Sequence, residues 1–405
     1  MDTKKSIVIV GGGFGGVYTA LYLSKKYRNC DVNVTVINKS NYFLFTPLLH
    51  EVATGGLTPD SITESIREVF RGSCVNVVED TAISIDTNTK TVTTTKSSYS
   101  YDYLVIGTGA ETNYFNTEGA KEHCFTLKNL DDAISIRNHV IDTIDTAVST
   151  DNKDLLVTTV IGAGPTGVEL ATELYEFMQL IISSYYKNSK FSKNDVVVNL
   201  VTATPDVISQ FPQKMRDIAM KELKEIGINV ITNSIATKVE PNAITFKDGN
   251  ILKTHTMIWV AGVTPSISHI SGIQPGVKGR VDTNEFLQTL NDSSVFALGD
   301  SAGTSPMLAQ VAVQQAKVVA TNIERLIGNE TELLKFEFNQ KGLLISLGQW
   351  YAIGNFFGFT FKGKIMWWVW RTVYLFNFMS WKKRFEIAYE WTVTLFYPRE
   401  ITRVK

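Results

Sequence analysis

Two short glycine patterns carry the clearest chemistry in this sequence. Gly11-x-Gly13-x-x-Gly16 follows the apolar run Ser6–Val10, and Gly162-x-Gly164-x-x-Gly167 repeats the phrase after another apolar run. In such a pattern the first glycine permits a tight turn. The second leaves room for a pyrophosphate, and the third lets helix and strand pack closely. The helix N-terminus then offers free N–H groups and the positive end of its dipole to the phosphates. One match is weak, because glycine turns also serve packing. Two matches, each in strand–turn–helix context, point to two dinucleotide sites.

Other residues fit the same chemistry. The fingerprint expects an acid at the end of the second strand to hold ribose hydroxyls. Here Asn33-Val-Thr-Val-Ile-Asn38 ends in Asn38, and Asn199-Leu-Val-Thr202 ends in Thr202. Asn38 can still hydrogen-bond a ribose, or both positions are simply loop residues. Thr202 adds no charge against a 2′-phosphate, so the second site need not exclude NADPH. Asp300, after the run Val295–Leu298, could accept ribityl hydroxyls. Glu169 reads as first-turn on the second glycine-turn helix, near the ring end of a dinucleotide or merely a favourable acid at a helix start. Gln310 and Gln314 are four apart and share a helix face, where their uncharged amides could donate to a ligand's carbonyls or only meet a neighbouring domain. His50 could serve a protonation or be structural.

The elements that must position these residues are legible as periodicity. Residues 6–27 and 155–178 read as strand, turn and helix, about 150 residues apart by the domain-length prior as well as by count, which suggests two similar α/β domains. Residues 83–95 alternate around the polar turn Asp86–Lys90 as a hairpin, and Tyr103–Gly107 is a buried-type strand. Helices are expected to about Tyr186, over Lys214–Ile226 with Gly227 as its stop, and over Ala309–Ile327. Strands are expected at Val196–Val201, Met257–Val260 and Val295–Leu298.

Composition sets bounds. The formal net charge of −1 recruits no nucleic acid. Cys30, Cys74 and Cys124 are far apart in the chain. That spacing argues against a metal cluster, a disulfide framework and a dithiol redox pair, and for a reducing compartment. The opening Met1–Val10 lacks a leader-like apolar stretch, so an unprocessed cytoplasmic protein is expected. From about residue 340 the character changes. Residues 350–397 are dense in Trp, Phe and Tyr, and every charged residue from Lys362 to Arg384 is basic. Arg371 and Lys382 interrupt the best apolar stretches, which fall short of the ~20 residues a spanning helix needs. An interfacial helix fits this mixture, as would a dimer interface or an aromatic core.

Together these residues resemble the two-dinucleotide-binding-domain flavoproteins, and within them the type II NADH dehydrogenases. Asn41-Tyr-Phe-Leu-Phe-Thr-Pro-Leu-Leu-His50, Thr159–Glu169, Ile258-Trp-Val-Ala-Gly-Val263, Ala309-Gln-Val-Ala-Val-Gln314 and the tail from Ala388-Tyr-Glu-Trp to Phe396-Tyr-Pro-Arg-Glu-Ile401 carry the likeness over essentially the whole chain. The resemblance implies an α/β fold with two Rossmann-like domains and a small C-terminal amphipathic helical membrane-anchoring module. Residues 1–115 and 288–340 would bind FAD, 116–287 NAD(P)H, and 341–405 the membrane. The first glycine turn and Asp300 would hold FAD non-covalently, and the second turn NADH, with NADPH possible. The cofactor-binding residues would be Gly11, Gly13, Phe14, Gly15, Gly16, Asn38, Lys39, Pro47, Ala82, Thr108, Gly109, Gly162, Gly164, Pro165, Thr166, Gly167, Thr202, Ala261, Gly262, Asp300 and Gln310. Glu169, Gln310 and Gln314 would be catalytic, and no metal is expected.

The implied activity is a monotopic, non-proton-pumping NAD(P)H:quinone oxidoreductase. Hydride would pass from NADH to FAD, and two electrons to a membrane ubiquinone or menaquinone. The implied setting is a peripheral homodimer on the cytoplasmic face of a bacterial inner membrane, in contact with lipid. Three other readings compete: a sulfide:quinone oxidoreductase, which needs flavin-side cysteines although none follows Cys124 here; a disulfide reductase, which needs a cysteine pair that 42–50 does not hold; and a flavin-bearing membrane adaptor without turnover.

Overall fold

A computed structural model describes residues 4–404, apart from 268–269 and 304. Met1–Thr3, part of the stretch on which the leader reading rests, and Lys405, the end of the expected C-terminal module, lie outside the described residues. The chain forms two compact units. The first comprises residues 1–44, 63–111 and 263–340, and the second 45–62, 112–262 and 341–405. Residues 263–287 thus pack with the first glycine turn, and the segment containing Pro47 and His50 packs with the second.

The first unit is built on a five-stranded sheet in the order Val295–Ala297, Tyr103–Ile106, Lys5–Val10, Val32–Asn38, Val75–Glu79. All its pairings are parallel. Ile7, Val8, Ile9 and Val10 are all buried, as a parallel strand covered on both faces requires. The helices Phe14–Lys26 and Ala309–Ile327 pack together within this unit.

The second unit repeats the plan with Phe125–Thr126, Thr256–Trp259, Val157–Ile161, Val197–Val201 and Asn229–Ile231. In both sheets the glycine-turn strand is central, with the next crossover strand beside it. Each unit also inserts a three-stranded antiparallel meander before the strand that returns to the sheet. These are Ala82–Asp86, Thr91–Thr94, Ser98–Ser100 in the first and Ala236–Glu240, Ala243–Phe246, Ile251–Lys253 in the second. The expected helix stop holds: Gly227 takes φ +107° after Gln213–Ile226.

The C-terminal stretch is not purely helical. An antiparallel meander, Leu343–Ser346, Ala352–Phe356 and Phe359–Gly363, precedes the helices Lys364–Phe376 and Trp381–Phe396. No helix of the described residues is long and apolar enough to cross a membrane.

The cysteine reading needs correction. Cys30 and Cys74 form a disulfide with Cα atoms 5.4 Å apart, and Cys124 is free. The two paired residues lie 44 apart in sequence, but each just precedes one of two neighbouring parallel strands. Sheet order brings together what spacing keeps apart. Disulfides are uncommon in reducing compartments, so the cysteines no longer argue for one.

Candidate functional site

The first glycine turn leaves a cradle. Gly11 adopts φ +109°, and a Cβ there would sit 2.2 Å from the Gly107 carbonyl oxygen, so the turn closes only on glycine. A Cβ on Gly13 would meet nothing within 4 Å, and the helix begins at Phe14 directly beyond it. Gly109, at the end of the adjoining strand, also opens on free space. Beside it Thr108 Oγ1 is buried without a partner among the described residues. A buried hydroxyl left over between two open glycines fits a nucleotide that completes its hydrogen bonding. Gly15 and Gly16 are buried in the helix start, and Phe14 packs edge-on against Phe43 at 5.0 Å.

Asn38 shapes this turn. Its Oδ1 accepts from the Gly12 N–H at 2.9 Å, and its Nδ2 donates to the Ser40 carbonyl at 2.9 Å. Lys39 next to it is exposed, and Ala82 is buried at the start of the meander. Asp300 lies on the single turn Gly299–Ser301, which is fixed by a residue that sequence reasoning missed. Gln315 is buried, its Oε1 accepts from Gly299 N–H at 2.7 Å, and its Nε2 reaches Ser305 Oγ at 3.3 Å. Gln310 and Gln314 lie on the same helix, both half-buried. Gln314 exchanges two hydrogen bonds with the Asn339 backbone, at 2.9 and 3.1 Å.

The second turn repeats the geometry. Gly162 takes φ +113°, with Ala261 Cα only 2.4 Å from where a Cβ would be. Gly164 opens on space bounded only by Gln210 Nε2 at 3.9 Å, and Pro165 and the exposed Thr166 start the helix. Gly167 is buried against the turn. Gly262 lies so close to the Phe115 ring that a Cβ would fall 2.7 Å from it. Thr202 Oγ1 pairs with Thr204 Oγ1 at 2.8 Å and accepts from the Thr204 N–H. The open second glycine and free helix start fit a second nucleotide.

Glu169 stands elsewhere than expected. The helix runs from Pro165 to Tyr185, so its fifth residue is past the first turn, where no acid is found. Glu169 is buried, and its Oε1 accepts from Ser346 N at 3.0 Å and Ser346 Oγ at 3.4 Å. His50 Nδ1 lies 3.9 Å from Glu169 Oε2. Burial pushes the Glu169 carboxyl up to about 8, despite the Ser346 hydrogen bonds, with Glu51 and Glu173 adding to the rise. Burial lowers His50 to about 4, so the imidazole is neutral at pH 7 and the contact is no ion pair.

Around Glu169 the second unit buries more carboxyls, none anticipated from the sequence. Glu173 pairs with Arg399 at 2.5 Å, and Glu176 accepts from Gln349 N at 2.8 Å. Glu51 Oε2 accepts from Trp391 Nε1 at 2.6 Å. Burial raises Glu51 to about 7 against the pull of Arg371, and burial plus the Glu173 charge raises Glu176 to about 7. A signal was present: Glu169, Glu173 and Glu176 fall on one face of an otherwise apolar helix. Arg371, which interrupts an apolar stretch of the C-terminal module, is buried and stacked 3.7 Å over the Trp367 ring.

Comparison with known proteins now bears on these two cradles. Residues 5–316 match the family model for pyridine nucleotide-disulphide oxidoreductases, and 340–400 match the NDH2 C-terminal domain. The type II NADH:quinone oxidoreductase of Haemophilus influenzae is 31% identical, covering 87% of each chain. That of Staphylococcus aureus is 30% identical over 89% of this chain and 92% of its own. The NDH2 structure from Plasmodium falciparum in complex with NADH superposes with a TM-score of 0.90, at 23% identity, covering 99% of this chain and all of the other. A sulfide:quinone oxidoreductase from Aquifex aeolicus shares the fold at a TM-score of 0.75 and 21% identity, covering 98% and 96% of the chains. Here, however, burial pushes the one free thiol, Cys124, up to about 12, which suits sulfur chemistry poorly. Two nucleotide cradles in one chain, a matching C-terminal domain and relatives of this identity place the protein in the type II NADH:quinone oxidoreductases, FAD-binding enzymes that oxidise NADH and reduce a quinone.

Proposed function

We propose that this chain is a monotopic, non-proton-pumping enzyme that holds FAD on the Gly11–Gly16 turn and NADH on the Gly162–Gly167 turn. The bound flavin supplies two-electron chemistry: it takes a hydride from the nicotinamide and gives two electrons to a quinone. Gly13, Gly109 and Thr108 would hold its pyrophosphate side and Asp300 its ribityl chain, with Gly15, Gly16, Phe14, Asn38, Lys39, Ala82 and Gln310 completing the site. Gly164, Pro165, Thr166 and Gly167 would hold the NADH phosphates, flanked by Ala261 and Gly262. Thr202 in place of an acid leaves NADPH admissible. Glu169 would serve the proton chemistry, with Gln310 and Gln314 toward the acceptor. We assign FAD binding to residues 1–115 with 288–340, NAD(P)H binding to 116–287 and membrane contact to 341–405, divisions that differ from the compact units in placing 263–287 with the second turn and 45–62 with the first.

The observation that carries the membrane part is the surface of the C-terminal module. Phe357 is 96% exposed, Ile365 80%, Phe396 78% and Phe385 72%. Phe359 and Trp381 are likewise exposed, with Lys362, Lys364 and Lys382 between them. Aromatic side chains that bury part of ~150–250 Å² each, beside cations worth ~1 kcal/mol each on an anionic surface, suit a protein lying on a bilayer. A lipid-dissolved ubiquinone or menaquinone would be met there. We assign the cytoplasmic face of a bacterial inner membrane, where NADH is held, and pairing of two copies through the same module.

The test uses full-length protein with vesicles of anionic phospholipid. The purified protein should be yellow, bleach with NADH, and recover colour when quinone is added. Replacing Phe357, Trp381 and Phe385 with Asp should release it from vesicles while leaving bleaching intact. Colourless folded protein that takes up no FAD, or unchanged vesicle binding in the triple variant, refutes the corresponding half.

A further inference from the structure

Reduction of a quinone by NADH leaves a proton to be found. NADH gives up a hydride, two electrons with one proton, and becomes NAD⁺. A quinol carries two added hydrogens, so the second must come from the protein or solvent. The region around Glu169 therefore invites the question of where that proton waits.

A cavity of about 10 Å³ lies within the second unit, lined among others by Glu51, Glu173, Ser346, Gln349, Arg371 and Arg399. That is room for roughly one water, in a polar setting. Arg371 is nine-tenths buried, yet its Nε has no partner among the described residues. Its NH1 reaches the Trp391 carbonyl at 3.3 Å. Ser346, on the cavity wall, is the residue whose hydroxyl touches Glu169. A hydroxyl both donates and accepts, so it can hand a proton along. Glu51, which also lines the cavity, is fixed by the indole N–H of Trp391.

We propose that Glu51 stores the proton that quinone reduction consumes, and passes it across this cavity and the Ser346 hydroxyl to Glu169. The inference rests on the functional reading above. In the step, the O–H bond of the Glu51 carboxylic acid breaks and its proton moves over Ser346 to Glu169. The Glu169 O–H bond breaks as an O–H bond forms on the quinone oxygen, which leaves Glu169 ready to take the proton arriving from Glu51. NADH is oxidised, the quinone is reduced, and solvent reloads Glu51. The C-terminal module is the positioning device, through Trp391, Arg371, Ser346 and Arg399.

The pocket's charge supports a stored proton. Four carboxyls, Glu51, Glu169, Glu173 and Glu176, face two guanidinium groups, Arg371 and Arg399. Two protons would neutralise the set. Glu51 at about 7 and Glu169 at about 8 are suited to exchange near neutral pH. Other titratable groups of this unit do not compete. His50 is neutral, and burial holds the Tyr374 phenol protonated. Arg137 is spent on the Glu400 carbonyl, and Glu390 binds Thr58 and Ser61.

The experiment uses the full chain with FAD, NADH and a water-soluble quinone. Infrared titration of the wild type should reveal buried carboxylic acid that ionises between pH 6 and 8, with one group missing in Glu51→Gln. Steady-state turnover should fall by about tenfold per pH unit on an alkaline limb in the wild type. In Glu51→Gln turnover should be low and flat over this range, while stopped-flow bleaching by NADH stays unchanged. Glu51→Asp should restore a limb. Trp391→Phe removes a hydrogen bond that favours the carboxylate, so its limb should move to higher pH. Wild-type protein that NADH does not bleach sinks the functional reading itself. Normal bleaching with no titrating carboxylic acid, or a limb unmoved in both Glu51→Gln and Trp391→Phe, sinks the store. If Glu51→Gln fails to fold, the Trp391→Phe limb and the wild-type infrared titration decide.

Discussion

The two glycine-turn helices are the same phrase with different contents. Both begin beyond an open second glycine, and both third glycines are pressed against the turn carbonyl. In register, Glu169, Glu173 and Glu176 of the second helix correspond to Tyr18, Tyr22 and Lys25 of the first. The first helix therefore carries two tyrosines and a lysine where the second carries three acids. The backbone of such a unit supplies phosphate binding to either nucleotide. Proton chemistry is added by side chains that the cradle does not require.

The largest expected effects separate the two cradles. Gly13→Val and Gly164→Val both add a side chain to open space, so neither should unfold the chain. Gly13→Val should yield folded, colourless protein, read by absorbance and circular dichroism. Gly164→Val should stay yellow but need about 100-fold more NADH to bleach, a loss of ~2.7 kcal/mol. If either variant loses the other's nucleotide, the assignment of cradles is reversed.

The acids predict a second, smaller asymmetry. Glu51, Glu169 and Glu176 hold protons in the folded state well above the ordinary 4.5 for glutamate. Above that value the unfolded chain has released protons that the native one keeps, so stability falls as pH rises. Thermal midpoints should drop steadily between pH 4.5 and 8. Glu169→Gln should flatten that slope, whereas Tyr18→Phe in the matching position should not. His50 acts on the other side. Its folded value of about 4 lies below the ordinary 6.5, so its contribution is lost as pH falls through that interval.

How much of this was legible depended on whether the signal was local. The glycine turns, the hairpin about Asp86–Lys90 and the helix Ala309–Ile327 are written in consecutive residues, and the fold follows them. The family likeness ran along the same local motifs. What escaped was assembled by sheet order or by the chain's return. Cys30 and Cys74 meet because their strands are neighbours. Glu51 and Arg371 are brought to one pocket by a C-terminal module whose aromatic and basic mixture fits a lipid surface, a dimer interface or an aromatic core alike. Its helix Lys364–Phe376 is two-faced, with Trp367, Trp370 and Arg371 inward and Ile365 and Trp368 outward. Apolar content alone could not tell protein from lipid as the covering. Gln315 was missed for a simpler reason: it lies one residue off the Gln310–Gln314 face, toward the core.

The smallest effect tests the ends of the second strands. Asn38 spends its amide on the Gly12 N–H and the Ser40 carbonyl, as part of the first turn. The Thr202 hydroxyl bonds to Thr204 in its own loop, while its backbone N–H donates to Ile231 and its carbonyl accepts from Ser234. Replacing Asn38 should therefore disturb the turn, while replacing Thr202 should change what the loop presents to a nucleotide. Thr202→Glu adds a carboxylate where a ribose or its 2′-phosphate would lie. It should lower kcat/KM for NADPH relative to NADH by about tenfold, worth ~1.4 kcal/mol. The effect should shrink in high salt if it is charge repulsion at a partly solvated site. Equal ratios in wild type and variant would mean that the ribose lies elsewhere, and that the two turns differ in more than their acids.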